Sequence, residues 1–184
     1  MTAGLPGPAL LVLDVFNTFE FPGGDELFQE TRDIVEPLRG LAQRFRAAGM
    51  PVIFVNDNLQ RWQDDFDEVM AHVGASGEKG AVMTTALQPL PGDFRLLKPR
   101  HSAFFETALP SLLSHLGIRE VVVCGIAADS CVLSTVMDAH IRGIKTTVPI
   151  DATASQTRER TERVLSHLRE SCEVATPFSS TFFA

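Results

Sequence analysis

The chain has no tyrosine and a single tryptophan in 184 residues, so phenolic acid chemistry is excluded and apolar bulk falls to 13 phenylalanines. Its three cysteines, Cys124, Cys131 and Cys172, include no CxxC pair. That excludes the dense disulfide framework of a small secreted domain and leads us to expect reduced thiols in the cytoplasm. Basic residues are in the minority, 16 against 23 acidic ones, for a formal net charge of −7, which argues against a nucleic-acid or anionic-membrane partner. Long apolar runs are missing as well. The opening MTAGLPGPALLVLDVF is interrupted at Asp14 and has no basic flank, so neither a signal peptide nor a membrane span is expected. There is no internal repeat and no low-complexity tract. A content of 45% hydrophobic residues over this length suits one globular domain, residues 1–184, with a sizeable core.

What is present is an alternation of apolar runs and helical patterns. Ala9 to Leu13 reads as a strand. Ile34, Leu38, Leu41, Ala42 and Phe45 recur at helical spacing until Gly49. Pro51 to Val55 is a second strand, followed by a polar, Asp-rich stretch from Asn56 to Glu68 and a Gly-containing loop from Gly74 to Gly80. Phe94 to Leu97 reads as a strand ending at Lys98, and a helix near Thr107 to Leu116 stops at Gly117, with Pro110 confined to its first turn. The strand, turn and helix of EVVVCGIAADSCVLSTVMD come next. After them we expect KTTVPI as a strand, a charged helix from about Gln156 to Glu170, and CEVAT as a last strand. Strands this apolar, each separated from the next by more than a hairpin, belong to a parallel sheet covered by helices on both faces. The expected fold is therefore α/β: a doubly wound, Rossmann-like, mostly parallel six-stranded sheet. The Phe-rich tail from Phe178 to Ala184 is either packed or an arm that reaches another subunit.

In such a sheet ligands bind outside the carboxyl ends of the strands, and three exits carry reactive groups: Asp14, Lys98 and the turn leading to Cys131. Cys131 falls in the first turn of a helix, where unpaired N–H groups and the helix dipole favour a thiolate. Each residue also has an ordinary explanation: Asp14 as a cap for the turn at Asn17 and Thr18, Lys98 as a solvated side chain, Cys131 as a small buried hydrophobe. Taken together, an acid, a cation and a thiol at strand exits supply what nucleophilic acyl transfer requires.

The segments LVLDVFNTF, LLKPRHSAFFET and VVVCGIAADSCVLSTVMDA resemble, in order, the motifs of the isochorismatase-like cysteine hydrolases, which include nicotinamidases and N-carbamoylsarcosine amidase. The resemblance implies a catalytic triad of Asp14, Lys98 and Cys131. It also implies a cis peptide between Ile126 and Ala127, and an oxyanion hole formed by the N–H groups of Ala127 and Cys131. The expected activity is cleavage of a C–N bond in a small amide, ureido or carbamoyl compound through a thioester, with no cofactor, in a homo-oligomeric enzyme.

Departures from the family narrow this expectation. Nicotinamidases carry an aspartate followed two residues later by a histidine to hold a metal; here Asp57 is followed by Asn58 and Leu59, so no metal is expected and nicotinamidase activity is disfavoured. True isochorismatases lack the cysteine and cleave a vinyl ether, so Cys131 argues for amide chemistry. All five histidines are read as structural or solvated, although His101 lies within a motif. Phe16, Asn17, Trp62 and Phe104 could line a small apolar substrate pocket, with core packing the alternative for each aromatic. Asn56 and Asp57 could orient Asp14 or a substrate amide, Asp129 could cap the Cys131 helix, and Asp151 could shape a turn. Two rival readings remain. DVFNT also resembles the first motif of haloacid dehalogenase-type hydrolases, with Asp14 as nucleophile, and the same fold could carry a non-catalytic thiol switch.

Overall fold

The structure, a computed structural model, describes residues 7–183; the first six residues of the expected targeting-free N-terminus and the final Ala184 lie outside it. The strands are β1 (Ala9–Leu13), β2 (Val52–Asp57), β3 (Phe94–Lys98), β4 (Glu120–Ile126), β5 (Lys145–Thr147) and β6 (Thr153–Ala154). All pairings are parallel, in the order β3-β2-β1-β4-β5, and β6 pairs with β4 beyond the end of β5. The helices are α1 (Gly24–Ala47), α2 (Phe66–Ala75), α3 (Glu78–Ala86), α4 (Leu109–Leu116), α5 (Leu133–Ile141) and α6 (Arg158–Cys172). No helix of the described residues is long and apolar enough to cross a membrane.

Both faces of the sheet are covered, which is why the strands read as continuous apolar runs and not as alternating ones. On one face Leu10, Val12, Val52, Phe54 and Val122 pack against Leu27, Leu38, Leu41 and Phe45 of α1, Phe66 and Val73 of α2 and Met83 of α3. On the other, Leu11, Leu13, Ile53, Val55 and Val123 meet Leu109 and Leu113 of α4, Val136 and Ala139 of α5, and Leu165 and Leu168 of α6. The sequence reading located α1 by its periodicity, α4 by its stop at Gly117 and α6 as a charged helix. It missed α2 and α3 in the segment read as polar chain and loop. There the apolar residues are sparse, and a capping box at Asp65, with Glu68 reciprocating, starts α2.

The sixth strand differs from expectation. CEVAT does not form it: Cys172 ends α6, Glu173 takes a left-handed conformation, and only a single bridge joins Ala175 to Thr147. KTTVPI likewise pairs only over Lys145–Thr147. The remaining strand is Thr153–Ala154, short enough to escape a period-2 pattern. Asp151 anchors the tail, accepting hydrogen bonds from the backbone N–H and the hydroxyl of Ser179. Phe182 and Phe183 then pack on Phe45 of α1, with ring centroids 5.9 and 5.0 Å away, so the tail folds back on its own chain.

Gly125 fixes how closely β4 approaches β1. Its φ is +107°, and a Cβ there would lie 2.2 Å from the Leu13 carbonyl oxygen. Gly125→Ala therefore meets both backbone strain and a backbone clash, and should lower the unfolding free energy by about 1–3 kcal/mol in chemical denaturation.

Candidate active site

Parallel pairing brings the strand exits to one edge. β3 reaches Lys98 directly opposite Asp57 of β2, while Leu13 pairs with Val55 on one side and Gly125 on the other. Asp14 follows with a positive φ of 52°, a conformation that short polar side chains tolerate better than most. Its N–H bonds to the Val55 carbonyl at 3.1 Å. The chain from β4 continues through a cis peptide between Ile126 and Ala127, then a single π-helical turn, Ala128–Val132, that carries Cys131. Cys131 thus precedes the α-helix proper.

The three reactive groups meet. Lys98 Nζ lies 2.8 Å from Asp14 Oδ2 and 3.4 Å from Cys131 Sγ, and donates to the Arg100 carbonyl at 3.1 Å. Lys98 is fully buried and Asp14 is 5% exposed, so neither is the solvated or turn-capping residue that its type alone would suggest. Asn17 supplies the turn hydrogen bond instead, its Oδ1 accepting from the Phe19 N–H. Asp14 Oδ1 accepts a 2.6 Å hydrogen bond from the Asp57 N–H. Oδ2 faces the ammonium but receives no well-directed hydrogen bond, leaving a lone pair for a further proton. Asn56 holds the neighbouring loop, accepting from the Phe16 N–H and donating to the Phe16 and Asp57 carbonyls.

Burial sets the proton affinities. It raises Asp14 above the ordinary carboxylate range against the opposing pull of Lys98, making Asp14 a stronger base than an exposed carboxylate. It also pushes the Cys131 thiol up to about 12, with the Asp14 charge adding to the effect and Lys98 opposing it. Desolvation and the adjacent anion therefore oppose the thiolate that a helix start was expected to favour, and the thiol keeps its proton. For Lys98, burial is the largest single influence and acts downward, yet the charges at Asp14 and Cys131 together lift it above the usual lysine value.

Asp14 and Cys131 open on a cavity of about 520 Å3 lined also by Asn17, Phe21, Leu27, Asp57, Leu59, His101, Ile126, Ala127, Asp129, Ser130, Gln156 and Arg160. Ala127 and Asn17 therefore share the wall with the thiol. The aromatics do not. Phe16 is 1% exposed and packs on Phe54 and Phe66, and Phe104 is 2% exposed beneath the Arg142 guanidinium; both belong to the core because each follows its sheet exit inward. Trp62 is 70% exposed and lines a separate hollow with Arg61, Arg100 and Phe105. Besides Ile126 and Ala127, apolar contact in the thiol cavity comes from Phe21, Leu27 and Leu59, on loops and a helix start that carry no sequence signal. Asp129 does not cap the helix: its carboxylate accepts from Ser155 Oγ at 2.6 Å and from Arg160 Nε at 2.7 Å, tying the Cys131 turn to β6 and α6. His101 also stands in this wall, where only its place inside LLKPRHSAFFET could have singled it out. Among the described residues, no group of three or more His, Cys, Asp or Glu side chains stands together as a metal site.

Replacing Lys98 with Met leaves a buried carboxylate without its counter-charge. Stability at neutral pH should fall by about 3–5 kcal/mol. The folded-state pKa of Asp14 rises further in this variant, so the deficit is full above that pKa and shrinks as acid protonates the carboxylate. Denaturant melts at pH 7 and pH 4 should show the variant closing on the wild type at the lower pH.

Residues 8–179 match the family model of the isochorismatase domain. The chain is 37% identical to the uncharacterized isochorismatase family protein YaaI of Bacillus subtilis, with 86% of each chain covered. It is 30% identical to the ureidoacrylate amidohydrolase RutB of Caulobacter vibrioides, over 79% of this chain and 76% of the relative. The crystal structure of N-carbamoylsarcosine amidase from Thermoplasma acidophilum superposes with a TM-score of 0.73 at 27% identity, covering 96% of this chain and 99% of that one. The haloacid dehalogenase reading of DVFNT falls away with this assignment, and the chain belongs to the isochorismatase family of hydrolases.

Proposed function

We propose that this protein is a cysteine hydrolase that cleaves a C–N bond of a small ureido, carbamoyl or amide compound through a thioester. The observation that carries the reading is the thiol of Cys131, 3.4 Å from the Lys98 ammonium, with the Asp14 carboxylate 2.8 Å from the same nitrogen, at the wall of one cavity. Ureidoacrylate and N-carbamoylsarcosine, named in two of the relatives, both present a carbonyl carbon bonded to nitrogen.

In this reading Asp14 Oδ2 accepts the thiol proton as Sγ attacks the carbonyl carbon, and Lys98 keeps the new charge paired. The N–H groups of Ala127 and Cys131 hold the oxyanion. Asp14 returns the proton to the departing nitrogen, so the C–N bond breaks to ammonia or an amine and leaves a thioester that water hydrolyses to the acid. A thiol near 12 ionises only as substrate arrives, which keeps the resting nucleophile protonated beside an anion. Asn17 would contact substrate from the same wall. We further infer one domain over the whole chain, a homo-oligomeric assembly and a cytoplasmic setting. The three unpaired cysteines support that last inference.

Ammonia release from a panel of small amides, ureido and carbamoyl compounds should single out at least one substrate, and Cys131→Ala should reduce its turnover by more than a thousandfold without loss of fold. Full activity in that variant would sink the proposal. The pH profile of kcat/KM adds a second check. The base must be deprotonated and its pKa is raised, so the acid limb should lie above the ordinary carboxylate value of 3.8. Lys98 and Cys131 both hold their protons more tightly than usual, so the alkaline side should stay level to about pH 10.

A further inference from the structure

The catalytic reading leaves two groups at the sulfur unused, the Ser130 hydroxyl at 3.9 Å and the His101 ring. His101 Nδ1 lies 3.7 Å from Cys131 Sγ and 3.2 Å from Ser130 Oγ, and its ring lines the same cavity as Asp14, Ala127 and Cys131. The sulfur thus has two sides. On the inner side stand Asp14 and Lys98, both buried, with Asp14 held by the Asp57 N–H and the ammonium. On the outer side stands the exposed His101 ring. Water that attacks a thioester enters from the open cavity, on the histidine's side.

The segment carrying His101 is fixed rather than loose. Lys98 Nζ donates to the Arg100 carbonyl, tying the segment to the end of β3 before the ring, while after it the Ala103 N–H donates to Thr135 Oγ1 at 3.0 Å and Ser102 Oγ donates to Asp138 at 2.7 Å, pinning it to α5. Such anchoring preorganises a side chain for proton transfer. Nδ1 has a single lone pair, so the Ser130 hydroxyl, a free rotor 3.2 Å away, can donate to it at rest and turn aside when a water takes that place.

We propose that His101 is the general base of the hydrolytic half-reaction, an inference that rests on the cysteine-hydrolase reading above. In that step a water oxygen bonds to the thioester carbon while its proton passes to His101 Nδ1. The C–S bond then breaks, and the same proton moves from Nδ1 to Sγ, regenerating the thiol and releasing the carboxylic acid. The histidine ends as it began, and Asp14, which has already given its proton to the departing nitrogen, is not called on again. Positioned general bases contribute about 10²–10⁴-fold, and the loss should fall on the second half-reaction.

The test uses His101→Gln, which keeps a hydrogen-bonding side chain without proton transfer, and His101→Ala. With a substrate found by the ammonia panel, His101→Gln should release one equivalent of ammonia in a burst close to the wild-type rate. It should then turn over about a hundredfold more slowly or worse, and intact-protein mass spectrometry should show the acyl adduct that the wild type does not accumulate. Added imidazole should restore part of the His101→Ala steady-state rate. Steady-state rates within twofold of the wild type, or a burst that falls in step with turnover and no adduct, would overturn the assignment. Cys131→Ala separates the two levels of the argument. If that variant is inactive while His101→Gln behaves as wild type, only the histidine's role fails; if Cys131→Ala is fully active, the thioester reading fails and the histidine's role with it.

Discussion

The arrangement depends on one ion pair, Lys98 with Asp14, buried where β3 and β1 end. Two charges so far from water are expensive, and they persist only because each is closely partnered. The ammonium has the Asp14 carboxylate, the Arg100 carbonyl and the Cys131 sulfur around it. The carboxylate has the ammonium and the Asp57 N–H. Remove the ammonium or the carboxylate and the other charge is stranded in the sheet edge, so the ion pair that holds the edge together also anchors the reactive cluster. The close approach of β4 to β1 at Gly125 serves this geometry, since it sets where the Cys131 turn leaves the sheet relative to Asp14.

Burial also decides the chemistry. A thiol at a helix start is commonly read as ionised, but here desolvation and the neighbouring carboxylate hold its proton in place. The useful consequence is a base strengthened by the same burial, beside a thiol that gives up its proton when a carbonyl carbon presents itself. The cavity wall adds a second tier: Asp129 clamps the Cys131 turn through Ser155 and Arg160, while His101 faces the sulfur from the open side.

Much of the scaffold was legible in the chain. The runs ALLVL, FRLL and EVVVCGI are strands because both sheet faces are covered and nearly every residue in them is apolar; α1 announced itself by helical periodicity and α6 by its charged run. The last strand was not legible. CEVAT has the composition of a strand, but the helix before it runs through Cys172, and the free edge of β4 at Gly125 and Ile126 is taken by the two-residue Thr153–Ala154. Two residues carry no period. The helices α2 and α3 were hidden for a related reason, as few of their residues are buried.

The site divides in the same way. The hydrophobic runs already place Asp14, Lys98 and the turn to Cys131 at the carboxyl ends of the strands, because strand ends follow from those runs and parallel order follows from the long connections between them. The neighbours of those groups are set by packing between distant segments. Phe16 and Phe104 turn into the core, Trp62 lines another hollow, and Phe21, Leu27, His101 and Gln156 form the cavity wall. Loop side chains are oriented by contacts between segments far apart in the chain, and no local pattern records those contacts.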